Sequence, residues 1–135
     1  MAVFGIGAKY DDRDVCTDFI TGNVACVGWD EDDYPTLHRV LQHIKTGDIV
    51  YIKSHPPNIG LIIKAVGIVI GQGVKDYPDL GRGIEMNWLW SGDERIGKLE
   101  DKYPVRNLTL YEEYNYDVQS RVIQLLVEVV PCRRH

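Results

Sequence analysis

The most regular hydrophobic pattern in the chain lies within residues 33–54. Four apolar side chains recur at i, i+3, i+4 and i+7 and so share one face of a predicted helix: Leu37, Val40, Leu41 and Ile44. His38 falls on the opposite, polar face. Pro35 suits the first helical position, and Asp33 or a neighbour is expected to cap the free amides. Gly47 tolerates the left-handed conformation and is expected just past the helix end.

Short apolar runs elsewhere predict strands. They are bounded by polar or turn-forming residues and span residues 3–8, 25–29, 48–54, 61–70 and 84–90. Gly67, inside the longest run, predicts a bend or a bulge. Met86, Trp88 and Trp90 alternate and are expected to share one face of their strand. The glycine-rich residues 71–83 are expected to form an irregular connection.

Helical signals return towards the end of the chain. Thr109 and Glu112 have the spacing of a capping box and predict a helical turn. Residues 115–130 are predicted to form the last helix, which Pro131 ends. Its buried side is expected to contain Val118, Val122, Leu125, Leu126 and Val129.

These elements predict a single domain over residues 1–135. Strands do not alternate regularly with helices, which argues against a doubly wound sheet. An α+β fold fits better, with a small curved mixed sheet or partly closed β-barrel and flanking helices. The length of 135 residues suits one core, and the apolar and charged fractions of 44% and 26% are those of a globular protein.

The sequence also bears on location. No apolar run approaches the roughly 20 residues that cross a bilayer, and the first residues lack the pattern of a signal peptide. We therefore expect a cytoplasmic protein with no membrane partner. The cysteines Cys16, Cys26 and Cys132 are widely spaced without a CxxC pair, which favours reduced thiols over a disulfide framework or a zinc site.

The net charge of −5 limits the kinds of nucleic-acid binding to be expected. Proteins that grip many phosphates usually present a basic surface, because counterion release drives that binding. Extended, sequence-independent binding is therefore not expected. A pocket that takes one base or nucleotide is compatible with this charge.

No residue pattern identifies a catalytic residue, a cofactor or a metal site. GxSxG, HExxH and phosphate-loop motifs are missing from the sequence. His38 and His43 are five positions apart and do not converge on a metal. The acidic residues 30–33 precede a helix, where carboxylates more often favour the positive terminus and stay solvated. We therefore favour a binding protein over an enzyme.

Aromatic and strand-end residues provide the candidate ligand site. Flat rings are commonly held by stacking on aromatic faces and by hydrogen bonds to their edges. Trp29, in a polar neighbourhood, is the first candidate, and Trp88 and Trp90 either join the core or line a pocket together. Lys53 and Ser54 end a strand, where a lysine suits a phosphate or a carbonyl oxygen; a solvated lysine is the alternative.

Residues 24–70 resemble the EVE branch of the PUA-like superfamily. The similarity lies in the Gly28-Trp29 pair, the following helix, a Gly47-Asp48 turn into a strand, and Gly67 within the next strand. The family has its glycine after the tryptophan, whereas here it comes before. The resemblance implies a small β-barrel with helices at its side and a pocket for a modified base or nucleotide-like ligand. By position, Trp29, Lys53 and Ser54 would lie near that pocket.

Three hypotheses follow. The first is a module that binds a nucleobase or nucleotide-like ligand, free or within nucleic acid. The second is an accessory protein of a phage or defence system that binds a basic protein partner or sequesters a nucleotide, with self-association also open. The third is a nucleotide hydrolase that depends on Lys53 or Glu112.

Overall fold

The computed structural model describes residues 1–99 and 105–129 of the chain. The strands there are β1 Val3–Gly7, β2 Lys9–Tyr10, β3 Arg13–Asp14, β4 Val24–Val27, β5 Ile49–Ser54, β6 Leu61–Val69, β7 Lys75–Tyr77, β8 Gly81–Gly97 and β9 Leu110–Glu112. The helices are α1 Cys16–Gly22, α2 Pro35–His43 and α3 Tyr116–Val129, and Val105–Asn107 form one 3-10 turn. Cys132, Pro131 and the predicted helix end at residue 130 lie outside the described residues, as does the side chain of Val129.

Most of the strands belong to one mixed sheet. Its order is β4–β8–β6–β5–β1–β9, and β7 pairs with the beginning of β8. β1 and β5 run parallel, whereas the other neighbours run antiparallel. The sheet curls strongly into a half-barrel, with α1, α2 and α3 as the helices of the described chain. The expected α+β fold with a curved mixed sheet and helices is confirmed.

Apolar side chains cover both faces of the central strands. In β5, Val50 and Ile52 belong to a core that includes residues of α1 and α2. Ile49 and Tyr51 belong to a second core that includes residues of α3. Successive strand residues point to opposite faces, so a strand buried on both sides needs a continuous apolar run. The sequence of β5 meets that need.

Helix α2 confirms the predicted first position and corrects its boundaries. Pro35 is the first helical residue, but Tyr34 occupies the N-cap and no side chain bonds there, so the expected Asp33 cap is wrong. The helix ends at His43, and Gly47 takes its positive φ of 93° in the turn before β5. The expectation that His38 lies on the polar face is wrong: its side chain is buried, where its Nε2 bonds to the backbone carbonyl of Trp29.

Two local predictions fail because strand pairing outweighs local signals, and one helix was not predicted. The predicted helical turn at residues 109–112 contains strand β9, whose residues pair with β1. The expected irregular connection at residues 71–83 contains β7 and the beginning of β8. Helix α1 was not predicted from the pattern. Its one buried residue is Phe19, whose side chain packs into the core.

Bulges redirect side chains along β6 and β8. At Gly67, as predicted, the pairing shifts: Val66 lies opposite Trp90 and Gly67 opposite Trp88, so Leu89 is the extra residue. An extra residue reverses the alternation that follows it. Trp88 accordingly packs against the α1/α2 core and Trp90 against the α3 core, so the expected shared face is wrong.

Candidate functional site

Two neighbouring cavities open on either side of residues 107–109. The aromatic cavity, about 440 Å³, is defined by Trp29, Tyr34, Leu37, Val40, Leu108 and Thr109. The lysine cavity, about 540 Å³, is defined by Lys9, Asp14, Lys53, Ser54, Lys64 and Thr109. Asn107 and Thr109 line both. The two cavities therefore share a wall.

Trp29 is held through its indole N–H and its backbone carbonyl, while its ring stays accessible. Its indole Nε1–H donates to Oγ1 of Thr109 at 3.1 Å. Its backbone carbonyl accepts a hydrogen bond from Nε2 of His38 at 2.5 Å. Trp29 is nevertheless 41% exposed. An anchored indole with an open face is suited to stacking, because little ordering entropy remains to be lost on binding.

Tyr34 completes the aromatic surface. Its ring lies 4.8 Å from that of Trp29, centroid to centroid, with 49° between the planes. The two rings thus contact each other and leave no slot between them. Leu37 and Val40, half-buried on the first turns of α2, and the exposed Leu108 add apolar surface. A flat ligand would therefore stack on the outer faces of this pair.

Two of the acidic residues before α2, Asp30 and Glu31, have structural partners. The carboxylate of Asp30 accepts the backbone N–H of Asp32 at 3.0 Å. Glu31 forms an ion pair with Arg82 at 2.8 Å. Asp33 lines the aromatic cavity, where its carboxylate provides an acceptor for a ligand N–H group. All of these carboxylates are exposed, as expected for a solvated run.

The lysine cavity concentrates positive charge in an acidic chain. Of the residues described in the structure, three lysines line it, against the single carboxylate of Asp14. Lys64 forms an ion pair with Asp93, whereas neither Lys9 nor Lys53 has a carboxylate partner among the described residues. The β5–β6 pairing skips Lys64, which is the extra residue of a bulge opposite Ile52 and Lys53, and both lysines line the cavity. Bulges often redirect a side chain in this way at functional sites.

Lys53 is the most constrained of these lysines. Its Nζ donates to the backbone carbonyl of Arg106 at 2.7 Å and lies 6.0 Å from the centroid of the Tyr111 ring. Burial lowers the pKa of Lys53, because the ammonium loses hydration. An ammonium has three N–H donors, and the bond to Arg106 uses one of them.

Cys16 also lines the lysine cavity but has the properties of an unreactive thiol. Burial is the main reason that the pKa of Cys16 is raised, and the carboxylate of Asp14 raises it further. The thiolate is the nucleophilic form, so this environment opposes nucleophilic catalysis. Glu112, considered for a hydrolase, lies on β9 and is not among the residues lining either cavity.

The predicted site residues are divided between different places. Trp29 lines the aromatic cavity, and Lys53 and Ser54 line the lysine cavity. Trp88 and Trp90 line neither of these two cavities. The indole N–H of Trp88 instead points at the carbonyls of Phe19 and Val24, at 3.1 and 3.0 Å. This shared hydrogen bond fixes Trp88 against the body of the protein.

Sequence reasoning missed several residues of the site. Tyr34 carried a usable signal, since it is an aromatic residue directly before the helix-starting Pro35. Thr109 carried none, because it meets Trp29 across 80 positions of sequence. Lys9 lies in the short strand β2 and Lys64 at a bulge of β6, and local patterns specify neither of these features.

Neither membrane-spanning nor metal-binding features occur within the described ranges. No helix in residues 1–99 or 105–129 has the length and apolar character needed to cross a membrane. No group of three or more His, Cys, Asp or Glu in those same ranges is arranged to hold a metal ion. In comparisons with known proteins, no family model and no curated protein sequence matches the chain.

Proposed function

We propose that the protein is a small binding module that holds a nucleobase or nucleotide-like ring in the aromatic cavity. The observation that carries this proposal is the anchored, accessible indole of Trp29 beside Tyr34. Bases have two flat apolar faces and a polar edge, so they bind where an aromatic face is accompanied by hydrogen-bonding groups.

The rim of the aromatic cavity provides such groups. Asp33 supplies acceptors, Asn107 supplies both donors and acceptors, and Thr109 supplies a hydroxyl group. A carboxylate and an amide can each hydrogen-bond the edge of a base. The cavity therefore combines stacking surface with the means to distinguish one ring from another.

The assignment of the fold to the PUA-like superfamily, EVE branch, belongs to this proposal. The curled half-barrel with helices is compatible with it. The segment that carries the resemblance contains both Trp29 and Lys53. The proposal for the ring site does not depend on this assignment, because it rests on the geometry of the aromatic cavity.

The test is a binding screen with a matched pair of variants. Common and methylated nucleosides are first screened by thermal shift, since a ligand that binds the native state raises its apparent stability. Affinities of the best ligand are then measured by calorimetry for the wild type, Trp29→Ala and Tyr116→Ala. Tyr116 provides the control, as it is an aromatic residue that is 77% exposed on α3.

We expect Trp29→Ala to weaken binding by about tenfold or more, since stacking of a base on an aromatic side chain contributes about 1–3 kcal/mol. Tyr116→Ala should bind like the wild type. The ring site is wrong if a folded Trp29→Ala protein keeps full affinity. It is also wrong if both variants lose affinity equally.

A further inference from the structure

Among the residues that the structure describes, the lining of the lysine cavity has more ammonium groups than carboxylates. In that part of the chain Lys9 and Lys53 lack a carboxylate partner, and Asp14 supplies the single carboxylate of the lining. Asp14 already accepts the backbone N–H of Cys16 at 2.9 Å. The cavity thus has ammonium donors that an anion can use.

The ammonium of Lys53 is a site where a bound anion would be stabilising. It is half-buried and has no counter-charge within residues 1–99 and 105–129, a condition that disfavours its charged form. An anion placed against Nζ would restore the lost stabilisation. Ser54, the next residue along β5, also lines the cavity and adds a hydroxyl donor.

The shared wall connects this cavity to the proposed ring site. Thr109 binds the indole of Trp29 through its hydroxyl, while its backbone carbonyl accepts the N–H of Gly7 at 2.7 Å. Gly7 itself lines the lysine cavity. Thr109 therefore bonds to a lining residue of each cavity, and the two cavities meet at this residue.

We propose that the lysine cavity is a phosphate subsite, and that the ligand is a nucleoside carrying a phosphate on its sugar. The inference rests on the proposed function, because it assumes that the ring lies against Trp29. The ring occupies the aromatic cavity, the sugar passes over residues 107–109, and the phosphate oxygens accept hydrogen bonds from Lys53 and Ser54. Lys9, at the exposed side, adds a second positive charge.

The test compares each nucleoside with its own 5′-monophosphate by calorimetry. Four proteins are used: the wild type, Lys53→Met, Lys9→Met and the control Lys75→Met. Methionine keeps an unbranched apolar stem but has no charge. Lys75 is an exposed lysine on β7 and is not among the residues lining the lysine cavity. Thermal unfolding of each variant checks that it is folded.

We expect the monophosphate to bind the wild type at least about tenfold more tightly than the nucleoside, as charge-assisted hydrogen bonds allow. Lys53→Met should remove most of that gain and keep the nucleoside affinity. Lys9→Met should reduce the gain in part, and Lys75→Met should leave it unchanged. Inorganic phosphate should compete with the monophosphate and not with the nucleoside; this measurement needs no variant.

The two proposals fail in different ways. If nucleosides bind through Trp29 but the phosphate adds nothing, or if the gain survives in Lys53→Met, the phosphate subsite is wrong and the ring site stands. If the monophosphate binds through Lys53 but independently of Trp29, both the ring site and the shared ligand are wrong. If no nucleoside or nucleotide binds, both proposals are overturned.

Discussion

Single residues in this fold are constrained most where a backbone passes close to a ring. Gly5, in β1, is buried against Tyr111, and a Cβ added there would lie 2.5 Å from Cζ of that ring. The ring cannot easily move away, because the Tyr111 and Tyr51 hydroxyl groups are 2.8 Å apart in a buried hydrogen bond. The glycine is therefore required by the close approach of its neighbour.

Gly5→Ala is expected to destabilise the protein by about 1–3 kcal/mol, the usual cost of overpacking a core. Gly22→Ala is the control: it lies at the exposed end of α1, and the added Cβ would meet Val24 at an ordinary 3.6 Å. Urea unfolding measures both. Equal stabilities of the Gly5→Ala variant and the wild type would contradict the close contact.

The buried thiol of Cys26 predicts a specific alkaline behaviour. Burial raises the pKa of Cys26 from 9.0 to about 12. A group whose pKa is raised on folding stabilises the native state fully below its unfolded pKa, and this contribution is lost as the pH rises through the folded value. Stability should therefore decline between about pH 9 and 12.

Cys26→Ala should show a shallower decline over that window, measured as the free energy of unfolding at a series of pH values. Cys16→Ala serves as a comparison, because Cys16 is only half-buried. Parallel pH profiles for the wild type and Cys26→Ala would show that this thiol does not contribute to the alkaline loss.

At the scale of elements, α2 and β5 were predicted well because their signals are local. The spacing of Leu37 and Leu41 and the β-branched run of β5 depend only on neighbours in sequence. β9 was predicted as a helical turn because Thr109 and Glu112 have capping-box spacing, yet pairing with β1 decides its structure. The faces of Trp88 and Trp90 depend on a bulge whose position local patterns do not specify.

A buried ion pair holds the segment that separates the two cavities. Arg106 Nη2 donates to Oε2 of Glu113 at 2.5 Å, and Tyr51 donates to Oε1 at 2.6 Å. The side-chain amide Nε2 of Gln119, on α3, donates to the backbone carbonyl of Glu113 at 2.6 Å. Arg106, directly before the wall at residues 107–109, is therefore bonded to Glu113, and Glu113 is bonded to α3.

Glu113→Gln is expected to destabilise the protein by about 3 kcal/mol, because it removes the buried carboxylate charge that pairs with the Arg106 guanidinium. Glu94→Gln is the matched control. Glu94 pairs with Arg121 at a partly exposed position, where a pair contributes less than about 1 kcal/mol. Chemical denaturation of the two variants distinguishes them, and losses of equal size would argue against a structural role for the buried pair.

At the scale of the whole molecule, charge is distributed unequally. The chain has a net charge of −5, yet three lysines line one cavity. The net charge predicts that no extended phosphate-binding surface exists, and this stays a prediction, whereas composition cannot reveal a local excess of lysines. That excess arises from the curl of the sheet and from the bulge at Lys64, both of which are tertiary features.

This distribution predicts a weak dependence of binding on salt. A ligand that meets one or two lysines should lose less than about tenfold in affinity between 50 and 200 mM salt, whereas a surface with 6–10 phosphate contacts loses about a thousandfold or more. Calorimetric titration of a nucleoside monophosphate at increasing salt gives the slope. A steep slope would indicate a larger phosphate-binding surface than the lysine cavity.

The most direct test of the ring site follows the indole N–H signals by NMR. The chain has three tryptophans, Trp29, Trp88 and Trp90, whose signals can be assigned with single Trp→Phe variants. When the best-binding nucleoside is titrated, the Trp29 signal should shift most, because a stacked ring changes the magnetic environment of that indole. The Trp88 signal should remain in place, since its N–H is hydrogen-bonded to backbone carbonyls. A shift of the Trp88 or Trp90 signal with an unchanged Trp29 signal would contradict the proposed site.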